Sequence, residues 1–321
     1  MKLWIRMLVL LFVSGVAVIA PAQSYPTKPV RFIIPFAPGG GADLVGRLLG
    51  QKLTEIWGQP VIIDNRPGAG ATIAAEISAR AVPDGYTVFQ FNIANAIAVS
   101  VRKKLSYDPV RDFAAVTQLA SSPFILVGHP SLKAQNIQEL IALAKSAPGS
   151  LNYSSSGTGG PSHLLGELFN AMAQIKVVHV PYASVAPALN DLLPGRVQLM
   201  FVIPAVAMPH IKAGRLWVFG ISSSKRSPLA PDIPTVAESG LAGFEGGAWY
   251  GVVVPANTQP AIISKLAADI IGIMRQPDVT QGLLKQGVEV IASTPQEFAQ
   301  FIKSEIAKFA RIVAASGARF E

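Results

Sequence analysis

The sequence predicts an α/β protein built as two domains, the second inserted into the first. Short β-rich apolar runs alternate with amphipathic helical patterns along most of the chain, which argues for parallel sheets covered on both faces. A strand, a glycine-rich turn and a helix start occur together twice, around residues 30–43 and again around residues 151–173. The chain crosses between the halves near Ser121–Pro123 and returns near Gly246–Gly251. The division expected is a leader over residues 1–22, a discontinuous first domain of 23–121 plus 247–321, and an inserted domain of 122–246.

The leader is read from three parts. Lys2 and Arg6 give a basic start, Met7 to Ala20 is an apolar run, and Ala20-Pro21-Ala22 is a small-x-small cleavage site. An uncleaved anchor is the alternative, but the apolar core is short for one. No later stretch is long and apolar enough for a membrane helix. The mature chain is expected to begin near Gln23, to be soluble and to lie in the periplasm.

The first strand is Val30 to Phe36. It ends in Pro38 and three glycines, and a helix follows with Leu44, Val45, Leu48, Leu49, Leu53 and Ile56 at spacings of three and four. Pro60 to Asp64 is a strand, Asn65 to Gly70 a turn, Ala71 to Ala81 a helix of small residues, and Tyr86 to Phe91 a strand. Phe113 to Leu119 leaves the first unit, and Phe124 to Val127 opens the second. A helix from Asn136 to Ala147 carries a capping pattern, Asn136 with Glu139 three residues on. Leu151 to Tyr153 is a strand, and a second Gly/Ser loop precedes a helix at Pro161 to Ala173, with proline in its first turn. Further strands are read at Val177 to Tyr182, Val197 to Val202, Trp217 to Ile221 and Trp249 to Pro255. A helix is read at Pro187 to Leu193, and the chain closes on helices at Pro260 to Met274, Val279 to Gln286 and Pro295 to Ser316, with Glu289 to Ile291 between the last two.

Composition narrows the chemistry. With no cysteine, disulfides, thiol catalysis and thiolate metal sites are excluded. The net charge is +8, and two of those positive charges, Lys2 and Arg6, leave with the leader. The remaining basic residues are spread out with no Arg-rich arm, so nucleic acid is not an expected partner. A positive field favours small anions. Gly68-Ala69-Gly70-Ala71-Thr72-Ile73 starts like a dinucleotide fingerprint but has Ile73 where a small residue belongs. His129, His163, His179 and His210 are isolated in sequence, so no metal or cofactor is expected. No Gly-x-Ser-x-Gly nucleophile elbow is present, and no catalytic residue is assigned.

Two glycine-rich helix starts remain. Glycine lets main-chain N–H groups approach a ligand, and the first N–H groups of a helix carry the positive end of its dipole. Facing one another across a cleft, such loops could grip a carboxylate without lysine or arginine. For the first loop alone, a plain strand-to-helix turn is the alternative. Asp43 can cap its helix or touch ligand. His163 can be a hydrogen-bonded structural residue or a ligand contact.

In their order along the chain, several motifs resemble the Bug/TctC family of extracytoplasmic solute receptors, the substrate-binding proteins of tripartite tricarboxylate transporters. They are Tyr25-Pro26-Thr27-Lys28-Pro29-Val30-Arg31, Pro35 to Asp43, Asn65-Arg66-Pro67-Gly68-Ala69-Gly70, Pro83-Asp84-Gly85-Tyr86-Thr87, Gly157 to Leu164, His179-Val180-Pro181-Tyr182 and Pro234 to Glu238. The resemblance implies a two-domain periplasmic-binding-protein type II fold with a two-strand hinge and the ligand in the interdomain cleft. It implies a small organic carboxylate held by Phe36, Ala37, Pro38, Gly39, Gly40 and Asp43 on one side. On the other side stand Ser155, Ser156, Gly157, Thr158, Gly159, Gly160 and His163. Asn92, Asn95, Tyr182, Ala183 and Phe201 would line the remaining wall. Implied partners are TctA/TctB-like membrane subunits or a signalling partner, with the receptor itself a monomer. A ligand sensor of the same fold is the alternative function, and an exported hydrolase a more distant one. The chain departs from the family in two places. Gly160 stands where Thr or Ser is frequent, with Ser162 able to supply a hydroxyl, and Ala183-Ser184 replaces a common Lys-Gly. Both bear on which carboxylate is chosen.

Overall fold

The computed structural model describes residues 25–102, 104–158, 160–228 and 230–316. The expected leader over residues 1–22 and Gly159 of the second loop lie outside the described residues. Among the described residues no helix is long and apolar enough to cross a membrane.

In chain order the strands are β1 (Val30–Ile34), β2 (Val61–Asn65), β3 (Thr87–Asn92), β4 (Phe113–Pro123), β5 (Ile125–Gly128), β6 (Asn152–Ser155), β7 (Val178–Pro181), β8 (Leu199–Val202), β9 (Trp217–Ile221), β10 (Gly247–Pro255) and β11 (Glu289–Val290). The helices are α1 (Gly41–Trp57), α2 (Thr72–Ala79), α3 (Ile93–Val101), α4 (Ile137–Ser146), α5 (Pro161–Ala173), α6 (Val185–Leu192), α7 (Pro204–Lys212), α8 (Pro260–Met274), α9 (Pro277–Lys285) and α10 (Pro295–Ser316).

Two sheets form. One has six strands in the order β11-β4-β10-β3-β1-β2, the other five in the order β7-β6-β8-β5-β9. β1 is parallel to both β2 and β3, and β6 to both β7 and β8, whereas β4 and β10 run antiparallel. Successive side chains of a strand point to opposite faces. Val30 and Phe32 of β1 therefore pack with Val252 and Val254 of β10 on one face, while Ile33, Phe89 and Val253 pack on the other. Burial on both faces is why Phe32–Ile34 of β1 and Val252–Val254 of β10 read as apolar runs rather than alternating patterns.

β4 and β10 join the two sheets. They pair from Phe113 opposite Pro255 to Pro123 opposite Gly247, where the chain enters and leaves the five-stranded sheet. Ser222, fully buried, closes this junction. Its hydroxyl accepts from the Phe124 N–H at 2.8 Å and donates to the Gly246 carbonyl at 2.5 Å. Its backbone bonds the same two residues, at 2.8 and 3.0 Å.

Two helices depart from the sequence reading. α3 was not anticipated, because Asn92 and Asn95 read as loop residues. Here they form a reciprocal capping box that starts the helix. α7 was hidden by Pro204 and Pro209. Pro204 occupies the first turn, where a missing N–H costs nothing, and Pro209 falls near the end of a nine-residue helix. The cap of α4 is as expected on one side, with Glu139 N–H donating to Asn136 Oδ1 at 2.9 Å. The Glu139 carboxylate instead takes the Gln135 N–H, one residue before the cap.

Gly251 tests the packing across this framework. A Cβ added there would lie 2.0 Å from the ring of Phe298, which is fully buried. Gly251→Ala is expected to lose about 1–3 kcal/mol by overpacking, read as a lower unfolding midpoint. An unchanged midpoint would show that the Phe298 ring yields.

Candidate functional site

The first loop joins the C-terminal end of β1 to α1. Gly39 has φ +94°, a conformation that side chains with a Cβ rarely adopt. α1 starts after Gly40 with no side-chain cap. Asp43 in its first turn is buried, and its carboxylate is occupied by the loop itself. Oδ2 accepts from the Gly39 N–H at 2.9 Å and Arg47 Nε at 2.8 Å, and Oδ1 accepts from Asn65 Nδ2 at 2.9 Å. Asn65 Nδ2 also donates to the Phe36 carbonyl at 2.9 Å. Burial alone would raise the Asp43 pKa, but the hydrogen bonds from Arg47, Gly39 and Asn65 outweigh it and hold the carboxyl at about 2. Asp43 therefore shapes the loop, and its oxygens are not turned towards a ligand. On the other side of the helix start, a Cβ at Gly41 would meet Tyr250 Oη at 2.6 Å. Glycine here admits the phenol of β10, which burial pushes up to about 12, so it stays protonated.

The second loop follows β6 in the other sheet. Gly157 has φ +133°, and α5 begins after Gly160 with Pro161 first and no side-chain cap. The loop rests on a buried ring stack. His163 and His179 have centroids 3.9 Å apart, and Tyr153 packs against both. Ser155, fully buried, has its Oγ 2.6 Å from His179 Nε2. Ser162 Oγ accepts from the Ser156 N–H at 3.2 Å. Burial holds His163 at about 4, helped by its neighbour His179, and burial likewise holds His179 at about 4. Both rings are neutral near pH 7.

The two loops meet at two adjoining cavities. The first, of about 750 Å³, is lined by Phe36, Gly40, Gly41 and Ala42 from the first loop, by Thr158, Gly160 and Pro161 from the second, and by Asn92 and one face of α3. The second, of about 450 Å³, has Gly39, Gly40, Ser156, Ser162, Phe201 and Tyr250 in its wall. Helix starts from both sheets thus share the same recess, and the start of α3 makes a third. Asn92 is buried at this edge. Its Oδ1 accepts from the Ala94 N–H at 2.9 Å, while Nδ2 has no hydrogen-bond partner among the described residues.

The structure brings together Phe36, Gly39, Gly40, Asn92, Ser156, Thr158, Gly160 and Phe201 in the walls of these cavities. Ala37, Pro38 and Gly157 shape the loops without lining either cavity. Asn95 is buried and spent on the α3 cap and on the Ala71 carbonyl. Ser155 and His163 lie beneath the second loop as its support. Tyr182 and Ala183 are outside both linings, and the Tyr182 hydroxyl donates to Asp191 at 2.8 Å. Sequence reading missed Tyr250, Trp249, Ile93, Ile97 and Arg102, all in the wall of the first cavity. The available signals were the Asn92–Asn95 capping pattern and the run of three basic residues from Arg102.

The neutral histidines have a pH consequence. A histidine whose folded pKa lies below its ordinary value near 6.5 contributes stability that is full above pH 6.5 and is lost as pH falls towards 4. Thermal unfolding followed across that window is expected to show the midpoint falling with pH, and falling less steeply in His163→Gln. Equal slopes would remove the stack as the source.

Comparison with known proteins agrees with this architecture. A family model described as "Tripartite tricarboxylate transporter family receptor" matches residues 45–318. Protein BugT of Bordetella pertussis is 33% identical over 310 residues, covering 96% of this chain and 95% of its own. The solved structure "R. palustris Rpa4515 with adipate" has a TM-score of 0.77 at 32% identity, covering 91% of this chain and 98% of that one. MatC from Rhodopseudomonas palustris with bound malate has a TM-score of 0.75 at 33% identity, covering 90% and 100%. The α/β two-sheet fold is that of these solute-binding proteins, and the chain belongs to the tripartite tricarboxylate transporter receptor family.

Proposed function

We propose that this protein captures a small organic carboxylate in the periplasm and delivers it to TctA/TctB-like membrane subunits of a tripartite transporter. The observation that carries this reading is the pair of uncapped, glycine-started helices, α1 from one sheet and α5 from the other, lining the same recess. Each helix terminus favours an anion by roughly 0.3–1 kcal/mol, and each charge-assisted hydrogen bond from the loops adds about 1.5–3 kcal/mol. Adipate in one relative and malate in another support a carboxylate as the ligand class. Residues 23–121 with 247–321 form one domain and residues 122–246 the other. They close on the ligand by bending at the β4–β10 junction, as hinged binding proteins do.

Binding without turnover is the second part of the proposal. The Ser155–His179 pair has hydrogen-bond geometry, but the serine is buried beneath its loop and faces neither cavity. A nucleophile has to reach its substrate.

Gly40→Val is the variant that separates the grip from the fold. A Cβ at this position meets nothing within 4 Å and Gly40 stands in the wall of both cavities, so the variant is expected to fold while its methyl groups crowd the recess. In a thermal-shift screen of carboxylates, the wild type is expected to gain about 2.7 kcal/mol at a ligand concentration 100-fold above Kd. The variant is expected to melt like the free wild type and gain nothing. Undiminished affinity in the variant would rule out the loop grip, and consumption of the ligand by the wild type would rule out pure binding. Loss of ligand uptake on gene deletion tests the transport role.

A further inference from the structure

The first cavity has an asymmetric wall. One side is the apolar face of α3, with Ile93, Ala94, Ile97, Ala98 and Val101 following one another at helical spacing. At the end of that face stands Arg102, the C-cap residue of α3. Among the described residues it is the only charged one in the wall of this cavity, and the second cavity has none. One of its N–H groups donates to the Ala69 carbonyl at 2.6 Å, which holds the guanidinium at the Gly68–Ala71 turn. No carboxylate among the described residues forms an ion pair with it. At a rise of 1.5 Å per residue, the nine residues of α3 separate its capped start from Arg102 by about 13 Å.

The first cavity therefore combines the helix starts of α1, α3 and α5, an apolar helix face and, among the described residues, one cation in its wall. We propose that Arg102 is a specificity-determining residue that binds a second anionic group, so that the preferred ligand is a dicarboxylate. This rests on the carboxylate-binding reading above and specifies its substrate class. A guanidinium offers five N–H donors in a planar fork that matches a carboxylate. The first carboxylate sits at the helix starts of α1 and α5, the hydrocarbon runs along the α3 side of the cavity, and the second carboxylate reaches Arg102. A ligand with one acid group leaves that cation unused.

The test is calorimetric titration of the wild type and Arg102→Gln with heptanedioate, heptanoate and butanedioate. The wild type is expected to bind heptanedioate about tenfold or more tighter than heptanoate, the value of one charge-assisted contact. Arg102→Gln is expected to lose about that factor for heptanedioate and to keep heptanoate binding within about twofold, which also shows that the variant is folded. If Arg102→Gln weakens both long acids equally, or neither, Arg102 is not the second anchor and the proposal falls. If butanedioate binds and the longer acids do not, and Arg102→Gln leaves that binding unchanged, the proposal falls while carboxylate binding stands. If none of the three binds and a wider carboxylate screen is also blank, the carboxylate reading itself is overturned, and this inference with it.

Discussion

The first N–H groups of a helix have no partner inside it, and in most proteins a short polar side chain closes over them. α1 and α5 both begin after glycine with no such cap, and both open into one recess. Much of the surrounding structure serves to keep them open. Asp43 sits where a first-turn carboxylate would favour the helix dipole, yet it is fastened by Gly39, Arg47 and Asn65. The same aspartate thereby ties the loop to β2, since Asn65 ends that strand and also bonds the Phe36 carbonyl. A carboxylate this well satisfied is fixed in place and stays ionised. It can support a loop that favours anions without turning its own charge into the cavity.

The second loop is supported differently. It rests on a stack of neutral rings, Tyr153, His163 and His179, with Ser155 bonded to the last of them. Burial keeps both imidazoles uncharged, so the loop rests on packing and hydrogen bonds. Gly166 is part of the same support, because a Cβ there would lie 2.2 Å from the Tyr153 ring. One loop is therefore held by charge at its edge and the other by aromatic contact from below. Both devices leave the helix starts themselves unobstructed.

The link between the two sheets is well satisfied. Ser222 uses its hydroxyl and its backbone to join Phe124 to Gly246 at the point where β4 and β10 pass from one sheet to the other. A buried, satisfied polar junction of this kind is costly to break. Core packing also runs across it. Phe91, Trp249, Phe244 and Phe298 belong to one continuous cluster, and Trp249 Nε1 donates to the buried Glu305 of α10 at 2.8 Å.

Much of this was legible in the chain. Apolar runs at Val30–Ile34 and Val252–Val254, glycine at residues 39–41 and 157, and proline at 161 determine strands, turns and helix starts through local sterics and burial alone. The family was legible too, in motifs such as Asn65-Arg66-Pro67-Gly68 whose purpose the structure supplies, Asn65 being the tie between β2 and the first loop. α3 was not legible, because asparagine reads as loop until its side chain is seen accepting the helix's own N–H groups. Nor were the duties of Asp43, Asn95, Ser155 and His163. Each residue type suits ligand contact and internal support equally, and only the position of distant partners such as Arg47, Ala71 and His179 decides between them. Arg102 and Tyr250 entered the cavity wall for the same reason: sequence determines which groups a chain carries and its local periodicity, while the meeting of residues 40, 102, 160 and 250 in one recess is decided by how two sheets pack.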